Sequence, residues 1–289
     1  MPYTPGESLG GLRVDLGAIP LGGVDSTGVA WALQELQGWD SAEVRAEVQQ
    51  RDADHGAWAS PVYLGERPIS LAGVITATDR ASLDDAMERL RAAAALTDTT
   101  LTVQETIPKQ ATVRRSGKLL LQHVTDRIAT YSVMVTAADP RRYDTALQTG
   151  TTMLPSSTGG LTLPYTLPYT VSATTVTGAI GATNQGTFET RPVLVIDGPV
   201  TQPQVLTQMP DGSVRILAYS QNLATGEQLV IDTDAHSVTL NGNASRRRYL
   251  SAPTGWPVIP ATSTVSIEFR AAAYNATATL TAQWRSAWI

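Results

Sequence analysis

Residues 223–242 read Leu-Ala-Thr-Gly-Glu-Gln-Leu-Val-Ile-Asp-Thr-Asp-Ala-His-Ser-Val-Thr-Leu-Asn-Gly, two alternating runs on either side of a short polar turn. Leu229 and Ile231 alternate with Gln228, Val230 and Asp232, and Val238 and Leu240 alternate with Thr239 and Asn241. Period-two alternation sends one set of side chains to a buried face and the other to water, so the stretch predicts an antiparallel β-hairpin. Its turn is Asp232-Thr233-Asp234, whose short oxygen-bearing side chains can accept from backbone N–H groups two residues on. Gly226 and Gly242 bracket the hairpin and can take positive φ without steric cost. Turn chemistry alone accounts for all of these residues.

The same alternation recurs at 193–196, 214–218, 265–269 and 276–284, with turn residues between. Regular short strands of this kind predict an antiparallel sandwich. Nearer the start, residues 12–39 alternate apolar and small residues around Gly22-Gly23, predicting two strands with Trp31 and Trp39 as core aromatics. Residues 42–50 fit two templates: Ala42, Val44, Ala46 and Val48 alternate with polar residues as a strand would, yet Val44 and Val48 are also spaced for a helix among good helix formers. One helix is predicted over 83–95, where Leu83, Met87, Leu90 and Ala94 form an apolar stripe opposite Asp84, Glu88 and Arg91. Ser82 is its expected N-cap, with Asp85 as a short-armed capping-box partner, and Asp84 and Asp85 sit where the helix dipole favours anions. Strands at 100–106, 110–115, 118–124 and 128–136, with Ser116-Gly117 as a turn, complete an α+β first domain.

A chain of 289 residues accommodates two domains on a prior of about 150 residues each. Pro140 cannot donate to a ladder and restrains the residue before it, so the first domain, 1–143, is expected to close at Asp139-Pro140-Arg141-Arg142-Tyr143. Residues 144–183 are rich in Thr, Ser, Gly and Pro and repeat Leu-Pro-Tyr-Thr at 163–166 and 167–170, too little apolar content for a core of their own. They read as a connector able to supply edge strands to the second domain, 184–289. The fold class is therefore mainly β, with one packed helix.

A net charge of -5, with Lys109 and Lys118 the only lysines, argues against a nucleic-acid binder held by a broad basic surface. Cysteine is absent, which excludes a disulfide framework, thiolate metal sites and a Cys nucleophile. The first ten residues have no basic start and no apolar run, and no later stretch approaches the ~20 apolar residues of a membrane helix, so synthesis in a cytoplasm and no membrane partner are expected. On that expectation Asn243-Ala-Ser245 and Asn275-Ala-Thr277 are chance matches to the glycosylation sequon.

Beyond the hairpin, an ordered set of residues carries a resemblance. Upstream lie Asn184, Gly186, Arg191-Pro192 and Ile196-Asp197-Gly198; downstream lie Trp256-Pro257, the run 265–269 and a terminal Trp284-Arg285-Ser286-Ala287-Trp288. Together with Gly-Glu-x-Leu-x-Ile-Asp-Thr these resemble the C-terminal half of the distal tail proteins of long-tailed (siphovirus) bacteriophages, the siphovirus tail-component family. Arg51, His55-Gly56, Tyr63, Gly65, Arg67 and Ile69-Ser-Leu-Ala-Gly-Val-Ile75 have a spacing similar to that family's N-terminal domain, and Asp-Pro-x-x-Tyr is similar to the sequence closing it. The resemblance tips 42–50 to strand. It also implies a ring or belt domain followed by a galectin-like β-sandwich. For function it implies a structural, non-enzymatic protein of the virion tail tip and baseplate, in a free phage or a prophage. That protein would be assembled in the host cytoplasm as a homohexameric ring. The implied partners are the tail tube protein, a hub or tail-associated protein, and a receptor-binding or fibre protein, with DNA only in transit through the lumen. No cofactor is implied.

Other chemistry competes with that reading. Gly6-Glu7-Ser8-Leu9-Gly10 spells a nucleophile elbow, but such an elbow needs a preceding strand, which five residues cannot build. His55, His123 and His236 lie far apart with no i, i+3 or i, i+4 partner for a metal. Glu227, Asp232 and Asp234 are candidate glycosidase or calcium carboxylates, yet they lack the regular Asp-x-Asp-x-Asp-Gly loop. Arg246, Arg247 and Arg248, followed by Tyr249, are candidate contacts to phosphate, sugar or an acidic neighbouring subunit, against a solvated loop. Trp256 is a candidate sugar platform in the rival reading, a carbohydrate-binding sandwich, against core packing beside Pro257. No catalytic, metal or cofactor-binding residue is assigned.

Overall fold

The computed structural model describes residues 11–158 and 174–289. Ser8 and its elbow, and both Leu-Pro-Tyr-Thr repeats, lie outside the described residues. The chain divides into two compact units, Met1–Thr145 with Ile289, and Ala146–Trp288.

The first unit is built on antiparallel strands in the order Ile19–Leu21, Val14–Leu16, Thr99–Val103, Lys109–Arg115, Ile128–Ala137, Arg67–Thr76, Ala30–Gln37 and Gly23–Val24, with Leu120–His123 also paired to Ile128–Ala137. Alternation explains the longest pairing: Ile69, Leu71 and Ile75 face inward on one strand and Ala129, Val133 and Val135 on its neighbour, all at most 1% exposed. Trp31 and Trp39 are buried in the same core. The segment 12–39 forms four strands rather than the expected two, because Gly17 and Gly22, at φ 58° and 90°, turn the chain within it.

The helix runs Arg80–Ala93 and buries Leu83, Ala86, Met87 and Leu90 against this sheet core. Fully burying each larger apolar side chain is worth about 1.5–3 kcal/mol. Its start differs from the expectation. Asp79, not Ser82, is the N-cap: Asp79 Oδ1 accepts from the Ser82 backbone N–H at 2.8 Å, so Ser82 lies inside the first turn as a donor. Those Ser82 hydrogen bonds hold the exposed Asp79 carboxyl below its ordinary range.

Between Ala30–Gln37 and Arg67–Thr76 the chain leaves the sheet as two ribbons, Val44–Arg45 with Tyr63–Leu64 and Val48–Gln50 with Ala57–Ala59. Within 42–50 the strand reading holds for Val44–Arg45 and Val48–Gln50, but neither strand has a buried face: Val44 and Val48 are 61% and 59% exposed, and Trp58, Val62 and Tyr63 are exposed as well.

The second unit has two antiparallel sheets. One is ordered Gln148–Met153, Thr279–Trp284, Val193–Asp197, Gln228–Asp232, Ser237–Leu240 and Ala244–Ser245; the other is ordered Ala179–Asn184, Ser263–Arg270, Gln204–Gln208, Val214–Tyr219 and Leu250–Ser251. Inward residues of both, among them Ile196, Ile231 and Leu280 from one and Val205, Ile267 and Phe269 from the other, form a single core. The architecture is a β-sandwich on a mainly β chain. Within 144–183, strands Gln148–Met153 and Ala179–Asn184 are outermost in the two sheets, and Ser156–Thr158 pairs with Thr174–Val176.

Candidate functional site

The opening hairpin forms with Leu229 opposite Leu240 and Ile231 opposite Val238. Asp232 Oδ1 accepts from the backbone N–H groups of Asp234 and Ala235 at 2.8 and 2.9 Å, closing the turn. Thr233 is buried and donates to the Pro192 carbonyl at 2.7 Å, while Asp234 faces Arg191 at 3.7 Å. Glu227 Oε2 accepts from the Ala224 N–H at 2.7 Å. Gly226 and Gly242 stand at φ 81° and 73°. Asp232 and Glu227 are thus engaged in local turn geometry, and Asp234 in an ion pair with Arg191.

The turn also brings distant candidates together. His236, in the left-handed region at φ 51°, stacks on Trp256 with ring centroids 4.5 Å apart and planes 15° from parallel. The Arg247 guanidinium carbon lies 5.0 Å from the Trp256 ring centroid. Trp256 is half-buried and packs against the sandwich core, and Pro257 beside it is buried. Arg247 also donates to the Leu250 carbonyl at 2.9 Å, and the short 3-10 turn Arg247–Tyr249 carries Arg248 onto the Tyr249 ring. Burial raises the Tyr219 phenol above its ordinary pKa, with the charge and hydrogen bond of Arg246 opposing. The three arginines are therefore divided among Tyr219, Trp256 and Tyr249, and are not one basic patch.

The remaining histidines stand apart from this group. His123 Nε2 lies 2.9 Å from Asp84 Oδ1 on the first unit's helix, and His55 sits on the exposed ribbon. No group of three or more His, Cys, Asp or Glu able to hold a metal occurs among the described residues. No helix among them is long and apolar enough to cross a membrane.

Two buried polar residues escaped the sequence reading as structural centres. Arg67 is 0% exposed and donates to the carbonyls of Pro140, Gly38 and Trp39. Burial, with repulsion from Arg142 and an opposing pull from Asp40, takes its pKa down to about 10, so it stays charged at neutral pH. Asn184, also 0% exposed, donates to the carbonyls of Phe188, Ile259 and Pro260 and accepts from the N–H groups of Gly186 and Ala287. Gly186 is required there, since a Cβ would meet the Ala287 carbonyl oxygen at 1.8 Å.

The described residues thus form an antiparallel unit with one helix, followed by a β-sandwich. Residues 185–288 match the family described as the siphovirus-type tail component, C-terminal domain. The chain is similar in fold to the SPP1 Dit protein, whose crystal structure is described as a paradigm of the hub adsorption apparatus in phages infecting Gram-positive bacteria. The TM-score is 0.64 at 12% identity, over 96% of this chain and 99% of that one. Chains of the phage p2 baseplate in its activated conformation, with strontium and with calcium, match at a TM-score of 0.51 and 9% and 8% identity, over 94% of this chain and 97% of theirs. A search of curated protein sequences finds no match. The family match thus falls in the second unit, and the fold likeness extends over both units.

Proposed function

We propose that this chain forms a homohexameric ring at the distal end of a siphovirus tail. The ring joins the tail tube protein to the baseplate hub and to receptor-binding or fibre proteins, and DNA passes through its lumen. The first unit builds the ring; the second, a galectin-like sandwich, is the outward docking domain. Assembly takes place in the host cytoplasm before incorporation at the tail tip. The observation that carries this reading is the fold likeness to a hub protein over 96% of the chain together with the family match of residues 185–288. The ribbons between residues 44 and 64 support it. Two-stranded ribbons are marginal alone in water, and apolar side chains left exposed on them favour contact with another surface.

A closed ring requires a head-to-tail contact between two different faces of the same unit. The test is to express residues 1–145 and 146–289 separately, weigh each by light scattering, and image the first by negative stain, alone and with tail tube protein. Rings from the first fragment and a folded monomer from the second are expected. A sandwich that oligomerises alone, beside a first fragment that stays monomeric with the tube present, overturns the division of roles.

The reading includes no enzymatic activity. Purified protein should leave chromogenic esters and glycosides intact, and Ser8→Ala should change nothing; turnover lost in that variant contradicts this. The alternative of a carbohydrate-binding sandwich acting through Trp256 has less support, because His236 stacks on that ring and Arg247 lies over it.

A further inference from the structure

Beside the 3-10 turn Arg247–Tyr249, the second unit carries a surface recess of about 340 Å³, at the small end of the roughly 300–1,000 Å³ range of ligand clefts. Its base is the row Gln204, Ala218 and Ser251, Cα partners on adjacent strands whose neighbours Val205, Leu217 and Leu250 point into the core. Gln202, Ser220, Arg248 and Tyr249 stand around that row.

The chemistry of the lining is one-sided. It contains no carboxylate, and Arg248 forms no ion pair among the described residues. Arg248 is held in place by Tyr249 instead: its NH2 group donates to the phenol oxygen at 2.6 Å, and its guanidinium carbon lies 4.6 Å from the ring centroid. A planar cation fixed in this way is pre-oriented for a two-pronged contact with an anionic group. Gln202 and Gln204 are exposed and each offers a donor and an acceptor. Gln202 stands at φ 44°, a left-handed conformation that costs a non-glycine residue and collects at ligand clamps. Ser220 Oγ donates to the Tyr249 carbonyl at 3.2 Å, so the same hydroxyl keeps its acceptor capacity.

We propose that this recess binds a hydroxyl-rich ligand carrying one anionic group, of the sugar phosphate class. Arg248 meets the anion, and the amides of Gln202 and Gln204 with the hydroxyls of Ser220 and Ser251 meet the sugar. Trp256 does not line the site.

The test uses the full chain, titrated separately with glucose 6-phosphate, glucose and inorganic phosphate, and followed by amide shifts in ¹H–¹⁵N spectra. Glucose 6-phosphate should shift the amides of Gln204, Ser220 and Ser251, with glucose and phosphate each binding about tenfold or more weaker. Arg248→Gln and Gln204→Ala should each weaken glucose 6-phosphate by about tenfold while leaving the melting temperature unchanged. Phosphate binding as tightly as the sugar phosphate overturns the hydroxyl half of the proposal, and glucose binding as tightly overturns the role of Arg248. No response to glucose 6-phosphate at about 10 mM, or a response unaltered in both variants, overturns the site.

Discussion

Arg67 Nε donates to the carbonyl oxygen of Pro140 across 2.9 Å, tying the start of strand Arg67–Thr76 to the segment where the first unit ends. The same guanidinium serves the carbonyls of Gly38 and Trp39. A fork of planar donors is suited to this and a lysine ammonium is not. Arg67→Met keeps much of the volume but strands buried acceptors, at about 1–3 kcal/mol for each group left unsatisfied. Urea unfolding of the first unit should show a loss on the order of 2–4 kcal/mol for Arg67→Met and a smaller one for Arg67→Lys. An unchanged midpoint in the methionine variant would show that these contacts do not hold the unit closed.

Arg67 and Asn184 mark where reading the sequence stopped short, and for one reason. Arg67 occupies the inward position before Ile69 and Leu71, and Asn184 the inward position after Ile180 and Ala182. Each continues an apolar alternation with a polar residue at a strand end, where loop carbonyls need donors. That break in pattern was visible, but its partners lie 73 residues away at Pro140 and 75 away at Ile259. The hairpin was legible because its pairing and turn are local. The helix start was misread because Asp79 and Ser82 are both cap-forming types three residues apart, and the Asp85 match favoured the wrong one. His236 against Trp256 was beyond reach, since nothing in the spacing of either places the two rings together.

Asp25 gives the first unit an acid-sensitive joint. Burial alone would raise its pKa, but hydrogen bonds from Trp31 Nε1, Thr27 Oγ1, Arg89 and the Val29 N–H outweigh that and hold the carboxyl well below the ordinary range. A carboxyl depressed in the folded state contributes stability that is fully present above its unfolded pKa of about 3.9 and is lost as pH falls through the folded value. Stability should therefore decline below about pH 4 with a component that Asp25→Asn removes. At pH 7 the same variant should cost on the order of 2 kcal/mol, because Arg89 and Trp31 lose a charged acceptor. Parallel acid profiles for the two proteins would refute this assignment.

Asp232 makes a separable prediction in the sandwich. Replacing it with alanine removes the acceptor for the Asp234 and Ala235 N–H groups without touching the core. By analogy with side-chain caps the cost is about 0.5–2 kcal/mol, read as a lower melting temperature of fragment 146–289. Unchanged melting with loss of calcium or saccharide binding would instead make Asp232 a functional carboxylate.

Trp256 separates packing from recognition. Its ring is shared by His236 and Arg247 while its edge packs on the core, so Trp256→Ala should lower the stability of the second unit by about 2 kcal/mol, below the 3–5 kcal/mol of a fully buried aromatic. Arg247 loses a cation–π partner in that variant, a further contribution of about 0.5–1 kcal/mol at an exposed site. Trp256→Phe keeps an aromatic face and should recover most of the loss. Calorimetric melting of the three proteins checks this, alongside retention on immobilised saccharides. Full stability of the alanine variant, with saccharide retention present in the parent and gone in the variant, would make Trp256 a ligand platform and reverse the assignment.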